Sequence, residues 1–184
     1  MRRVARDELV DWQTFAEERA ALQPAVLAAK ALRRVHVGEH LTFLFENALT
    51  IRWQIQEMLR AERIVREKDV QHELDTYNEL LGGPGDLGCT LLVEIVDEAE
   101  RAAKLARWKR LPECLHVRLA DGRRVFARVD ERQRDERKLS SVQYLVFPVA
   151  SETPVAVGCD LDEARGEHVF TPQQRAALAE DLAS

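Results

Sequence analysis

Residues 48–62, ALTIRWQIQEMLRAE, and 69–81, DVQHELDTYNELL, constrain this chain most, because each carries an apolar stripe at helical spacing and the link between them is short. Helices are expected over roughly 48–65 and 69–81. In the first, capped by Asn47, the residues Ile51, Ile55, Met58 and Leu59 share one side; in the second, Val70, Leu74, Tyr77 and Leu81 do. Short-linked helices pack antiparallel along such stripes. Glu62 falls within about 20° of Ile51 and of Ile55 on a helical wheel, inside the stripe, and Gln54 borders it. Asn78 lies inside the second stripe and Glu73 at its edge. The pairing is therefore expected to enclose Glu62, Glu73, Tyr77 and Asn78, with Glu46 and Asn47 entering where a strand meets the helix.

Burying a carboxylate is costly unless it finds a partner, takes up a proton or binds a cation. Two readings stay open. One is a hydrogen-bonded structural network, with Arg60 or Arg63 folding back or Glu62 reaching solvent at its helix end. The other is a pocket for a small molecule or a divalent metal, with Glu62, Glu73 and Glu46 as candidate ligands.

The rest of the chain divides by periodicity. Thr14-Phe-Ala-Glu17 has the spacing of a capping box, and Pro24 is expected to kink that helix or to begin a second through VLAAKALRR. VHVGEHLTFLFE reads as a turn and a strand ending near Glu46. Gly82-Gly83-Pro84-Gly85 stops the second of the paired helices. CTLLVEIV reads as a buried strand, and Asp97 caps a helix ending near Lys109 and Arg110. CLHVRLADGRRVFARV reads as a hairpin. A three-residue loop, Ala120-Asp121-Gly122 with Gly122 left-handed, sets Val117 against Val125 and Leu115 against Ala127, which keeps charge off the apolar face. DERQRDERK reads as a solvated loop, VQYLVFPV and PVAVGCD as strands, and Thr171-Pro172-Gln173-Gln174 as the start of a short last helix. The sum is one α+β domain over residues 1–184, a helical N-terminal half packed on a mostly antiparallel sheet with a short C-terminal helix.

Composition narrows the function classes. A formal net charge of −5 argues against a nucleic-acid binder. No apolar run is long enough to span a bilayer, and no apolar region follows the basic first residues as in a signal peptide. Cys89, Cys114 and Cys159 lie far apart without C-x-x-C, which suits reduced thiols in a cytoplasm. Cys114-Leu-His116 would put a thiol and an imidazole on one strand face, but no second pair accompanies it. His36, His40 and His168 sit near turns or ends, and His72 points away from Leu74. No H-E-x-x-H, G-x-S-x-G or Walker loop is present. The glycines around Pro84 follow a helix instead of opening one, so they read as a turn and not a phosphate cradle. The basic clusters at 60–68 and 101–110 alternate with acids and read as solvated helix faces.

Taken together, LTFLFEN, WQIQEMLRAERI, QHELDTYNELLGG, TLLVEI and SSVQYLVFP resemble an uncharacterised bacterial family, domain of unknown function 3501, over about Arg6 to Pro148. The resemblance implies a cytoplasmic protein of no established activity. It also implies redox partners, since members are often encoded beside a rubrerythrin-like protein and an iron–sulfur oxidoreductase of the heterodisulfide-reductase type. The family pattern marks Glu46, Asn47, Gln54, Glu57, Arg60, Glu62, His72, Glu73, Asp75, Tyr77, Asn78, Gln143 and Tyr144. Of these, Glu46, Asn47, Gln54, Glu57, Glu62, Glu73, Tyr77, Asn78 and Gln143 are the ligand-binding candidates. The expected function is an accessory or ligand-binding protein working with redox partners. The alternative is a small enzyme with a carboxylate-based, metal-dependent site.

Overall fold

In the computed structural model, residues 2–129 and 138–184 are described. The chain starts with helix α1 (Trp12–Ala31), then strands β1 (Arg34–Val37) and β2 (Leu41–Phe45), and the paired helices α2 (Ala48–Glu62) and α3 (Glu67–Glu79). Strand β3 (Leu87–Val93) and helix α4 (Glu98–Arg107) follow. Then come β4 (Leu115–Arg118), β5 (Arg124–Phe126), β6 (Arg128–Val129), β7 (Val142–Phe147), β8 (Ala156–Cys159), β9 (Gly166–Val169) and helix α5 (Pro172–Ala183). The fold is α+β, with its longer helices in the N-terminal half, antiparallel sheets and a short C-terminal helix.

The strands form a five-stranded sheet, β1-β2-β3-β7-β6, and a four-stranded sheet, β5-β4-β8-β9. One core draws on both: Phe43, Phe45, Leu91, Leu145 and Phe147 from the first, Leu115, Val117 and Val157 from the second, with Trp108 and α5's Leu178. All five residues of β2 are buried, which is why LTFLF shows no alternation of apolar and polar residues. A second core belongs to the helices. Ile51, Ile55 and Leu59 of α2 meet Val70 and Leu74 of α3, and Val4 and Leu9 of the N-terminal segment close it.

Local signals set several elements where the sequence puts them. Asn47 Oδ1 accepts from the Thr50 amide (3.0 Å), and Thr171 Oγ1 accepts from the Gln174 amide (3.2 Å). The β4–β5 hairpin pairs Val117 with Val125, and the Ala127 amide donates to the Leu115 carbonyl (3.0 Å). Gly122, at φ +89°, supplies the left-handed residue this turn needs. A different constraint acts at Gly88, where β3 crosses the end of α3. A Cβ there would lie 1.9 Å from the Leu80 carbonyl oxygen.

Other elements depart from expectation. Asp11, not Thr14, caps α1: its Oδ1 accepts from the Gln13 and Thr14 amides, and its Oδ2 from the Thr14 hydroxyl (2.6 Å). Pro24 does not begin a second helix, since α1 runs through it. Its ring sits on the exposed side, where water can take up the Ala20 carbonyl that loses its helical donor. The turn before β2 is a hairpin, with β1 paired to it throughout. Helix α2 stops at Glu62 because Arg63 turns left-handed (φ 52°), a stop no glycine announces. Strand β9 was not anticipated, and most of DERQRDERK lies outside the described residues.

Candidate functional site

The α2–α3 pairing brings part of the expected polar set together, along a track running from a buried end to an exposed one. At the buried end is Glu46, the last residue before the α2 cap. Its Oε2 accepts from Thr50 Oγ1 (2.6 Å) and its Oε1 from Thr90 Oγ1 on β3 (2.7 Å). A carboxylate beside a helix N-terminus also gains from the unbonded amides there. Thr90 pairs across the ladder with Tyr144 of β7, on the sheet face turned away from the main core. Tyr144 lies near Tyr77 of α3, whose phenol also has Gln54 of α2 beside it. Glu73 and Glu62 complete the track. Burial pushes the Tyr77 phenol above its usual range against the pull of the neighbouring Gln54 amide, and Tyr144, Glu73 and Glu62 add to the rise.

Glu62 is exposed, however, and so is Gln54, while Glu73 and Tyr77 are half-buried. The wheel put Glu62 inside the stripe. Its place as the last helical residue overrides the angle, because the chain turns away at Arg63 and leaves the Glu62 side chain in water. The α2–α3 contact is therefore closed by Ile51, Ile55, Leu59, Val70 and Leu74, and the acids border it.

The remaining candidates go elsewhere. Asn47 spends its oxygen on the cap and donates through Nδ2 to Asp181 of α5 (3.2 Å). Asp181 holds Arg33 in a buried two-point ion pair (2.7 and 2.8 Å), which ties α5 to the α1–β1 junction. Glu57 faces α1 and accepts from Arg19 (2.6 Å) and Arg60 (2.8 Å). Its partial burial raises the carboxyl, and the two guanidiniums outweigh that and hold it below the usual range. Asn78 is buried against the N-terminal segment, accepting from the Val4 amide (2.9 Å) and donating to the Val4 carbonyl (3.0 Å). Gln143 points to the opposite sheet face from Tyr144 and donates to the Ser140 (3.0 Å) and Val142 (3.1 Å) carbonyls. Asn47, Glu57, Asn78 and Gln143 thus hold structure, each in a different place.

Sequence reasoning missed Gln56 and the Arg33–Asp181 pair. Gln56 copies Asn78: it accepts from the Val10 amide (2.7 Å) and donates to the Val10 carbonyl (3.1 Å). Neither had a local signal, because each partner is far away in sequence.

Among the described residues no three His, Cys, Asp or Glu side chains gather as a metal-binding set. Glu46 is walled in by two threonines and does not meet Glu62 and Glu73 in such a set. Cys114 ends a short 3-10 turn instead of sharing a strand face with His116, and burial pushes its thiol up. His116 is buried, and neither ring nitrogen has a hydrogen bond; Asp160 Oδ2 stands 3.7 Å from Nδ1, and the Cys114 backbone lies near without the alignment of a bond. Gly83, Gly85 and Gly88 do have G-x-G-x-x-G spacing, but they lead from a helix into strand β3. A dinucleotide turn leads from a strand into a helix whose amides face the phosphates, so the spacing here has no such terminus.

A groove of about 180 Å³ runs between α1 and α2, lined by Phe15, Leu22, Leu49 and Trp53 with Arg52 and Glu18 at its rim. Among the described residues no helix is long and apolar enough to cross a membrane.

The family model described as protein of unknown function, DUF3501, matches residues 3–182. The match takes in the tail beyond Ala150 that the sequence resemblance left out. No curated protein matches the chain. Among solved structures it is similar to the crystal structure of a novel protein of unknown function from Burkholderia pseudomallei. The two are 33% identical over 98% of this chain and 100% of that one, with a TM-score of 0.89.

Proposed function

Because this chain belongs to the DUF3501 family, whose description assigns no activity, we propose that it is a cytoplasmic accessory or ligand-binding protein acting with iron–sulfur or rubrerythrin-type redox partners. One observation carries the reading: the candidate carboxylates that are buried or guanidinium-bound are already committed to structure, while the acids beside Tyr77 face outward. Glu46 is held by Thr50 and Thr90, and Glu57 by Arg19 and Arg60. Glu62 and Glu73, with Gln54 and Tyr77 between them, offer acceptors and an aromatic edge at the surface. That chemistry suits a basic or amide-rich contact on another protein more than an enclosed reaction site. The redox class of the partner comes from the family's neighbours.

The test is affinity purification of the tagged chain from its own host, probed for the iron–sulfur oxidoreductase and the rubrerythrin-like protein. Recovery of either, weakened about tenfold in the Glu62→Gln/Glu73→Gln variant, is expected, since two surface acids at an interface account for roughly 1.4 kcal/mol. A chain that purifies alone, or a complex indifferent to the variant, removes the reading.

A second reading, a carboxylate-based enzyme dependent on a divalent metal, draws on the same Tyr77 neighbourhood. It requires Glu62 or Glu73 to titrate near neutral pH by NMR, and metal in an elemental analysis of the purified protein. Ordinary acidic titrations and a metal-free protein would end it.

A further inference from the structure

The groove between α1 and α2 has an apolar body and a charged mouth. Phe15 and Val26 of α1, 1% and 3% exposed, form its floor. On the α2 wall, Trp53 stands edge-on to Phe15 (ring centroids 5.3 Å) with the Arg19 guanidinium over its ring at 5.5 Å. Ala25 offers the groove no more than a methyl group, so space remains beside Leu22 and Leu49. Leu22 and Val10, each 38% exposed, both stand at this one groove. Exposed apolar residues scattered singly need no explanation, whereas a concave apolar site with polar groups converging on it has the form of a small-molecule pocket. The volume of about 180 Å³ limits the guest. It is below the roughly 300–1,000 Å³ of sites for drug-sized ligands, which excludes a nucleotide or a flavin. A cavity of about 150 Å³ takes up benzene, so one leucine or phenylalanine side chain fits.

Two charges at the mouth are uncommitted. Arg52 of α2 donates no hydrogen bond among the described residues. Its acidic neighbour Glu8 Oε2 stands 4.0 Å away and is taken by Arg2, while Glu8 Oε1 accepts from the Ala5 amide (2.9 Å). Glu18 of α1 is exposed and has no ion-pair partner among the described residues. A cation from one wall and an acid from the other match a guest that carries both charges close together on an apolar body. We propose that the groove binds a free α-amino acid with a side chain the size of leucine or phenylalanine. Its carboxylate meets Arg52, its ammonium meets Glu18, and its side chain lies among Phe15, Leu22, Leu49 and Trp53. A plain fatty carboxylate would bring a second negative charge against Glu18, and a plain amine a second positive charge against Arg52. Each loses one contact and gains a repulsion. The guanidinium can meet a carboxylate through two parallel hydrogen bonds. The site is separate from the Tyr77 track, which lies between α2 and α3, and does not rest on it.

Isotope-labelled protein titrated by NMR with L-leucine and with L-phenylalanine up to about 10 mM tests this, read at the Trp53 indole N–H and the Leu22 and Ala25 amides. Saturable shifts at these positions are expected. Isocaproate, which lacks the ammonium, and L-leucinamide, which lacks the carboxylate, should each bind about three- to tenfold more weakly than leucine. Arg52→Gln and Glu18→Gln should each weaken leucine by a similar factor. Glycine, with both charges and no side chain, should not bind, because it buries no apolar surface. Ala25→Phe should fill the groove and abolish binding while circular dichroism and the unfolding midpoint stay unchanged, since Ala25 is exposed and belongs to neither core. No shift with either amino acid overturns the proposal, as does binding that ignores both charge variants. Isocaproate binding as tightly as leucine would assign the groove to apolar carboxylates, and leucinamide doing so would assign it to a peptide N-terminus; either result overturns it. Glycine binding as tightly as leucine would leave the apolar walls without a role and overturn it too.

Discussion

In the helical layer, the buried side-chain amides of Gln56 and Asn78 each bond the backbone N–H and C=O of a single residue, Val10 and Val4 respectively. In the four-stranded sheet, the imidazole of His116 is buried with neither nitrogen bonded. The two regions differ in what backbone they have left to offer. Residues 4 and 10 are in no helix or strand, so their peptide groups are free, and a carboxamide presents a donor and an acceptor in the matching plane. Strand β4 is flanked on both sides, by β5 and by β8. The ladders consume its peptide groups and those of β8, which lies between β4 and β9, and none is turned to the His116 ring. Amides therefore stitch the loose N-terminal segment onto α2 and α3, while His116 contributes shape and little else.

The largest expected effect lies where α5 meets the α1–β1 junction, at the Arg33–Asp181 pair, whose side chains are 6% and 5% exposed. Asp181→Leu leaves a buried guanidinium without its carboxylate and should cost about 3–5 kcal/mol in urea unfolding. Arg33→Met combined with Asp181→Leu should recover most of that, and a double variant as weak as the single would show that packing, not charge, holds α5. Next in size is Asn78→Leu, which strands the Val4 amide and carbonyl. A loss of about 2–3 kcal/mol is expected, with faster hydrogen exchange at the Val4 amide. An unchanged exchange rate would mean that the segment is held by Val4 and Leu9 alone.

The smallest effect belongs to His116. Burial lowers its pKa, opposed by Asp160 and reinforced by Arg124, with Glu167 also raising it. An unfolded chain therefore takes up the imidazole proton first as pH falls. The wild type should lose stability from about pH 7 downward, through the ordinary imidazole value near 6.5, and keep it above. His116→Leu should stay within about 1 kcal/mol of wild type at neutral pH, since it removes an unbonded polar ring, and should flatten the acid-side slope. A steeper loss in the variant would reveal a hydrogen bond that the native ring makes.

The same contrast explains how much was legible. The caps at Asn47 and Thr171 and the β4–β5 register were readable because partner and signal lie within a few residues. The α1 cap was misplaced by three residues because Asp11 and Thr14 are both competent and in fact share a hydrogen bond. Of the polar candidates, Gln54, Glu62 and Glu73 stand around Tyr77, while Glu46, at the other end of α2, is held by Thr50 and Thr90. The angle alone set Glu62 inside the stripe; the alternative that it reaches solvent at its helix end is the one the structure takes, because a wheel has no ends.

What the sequence determined alone is the kind of the long helices and of most strands, several caps, and the pairing of α2 with α3, all consequences of spacing and of side chains bonding nearby backbone. Only the tertiary structure decided that two sheets share one core, that Asn78 and Gln56 hold the N-terminal segment, and that Arg33 finds Asp181. Those contacts join residues separated by 46 to 148 positions. Their strength depends on burial, and burial is a property of the assembled layers and not of any stretch of chain.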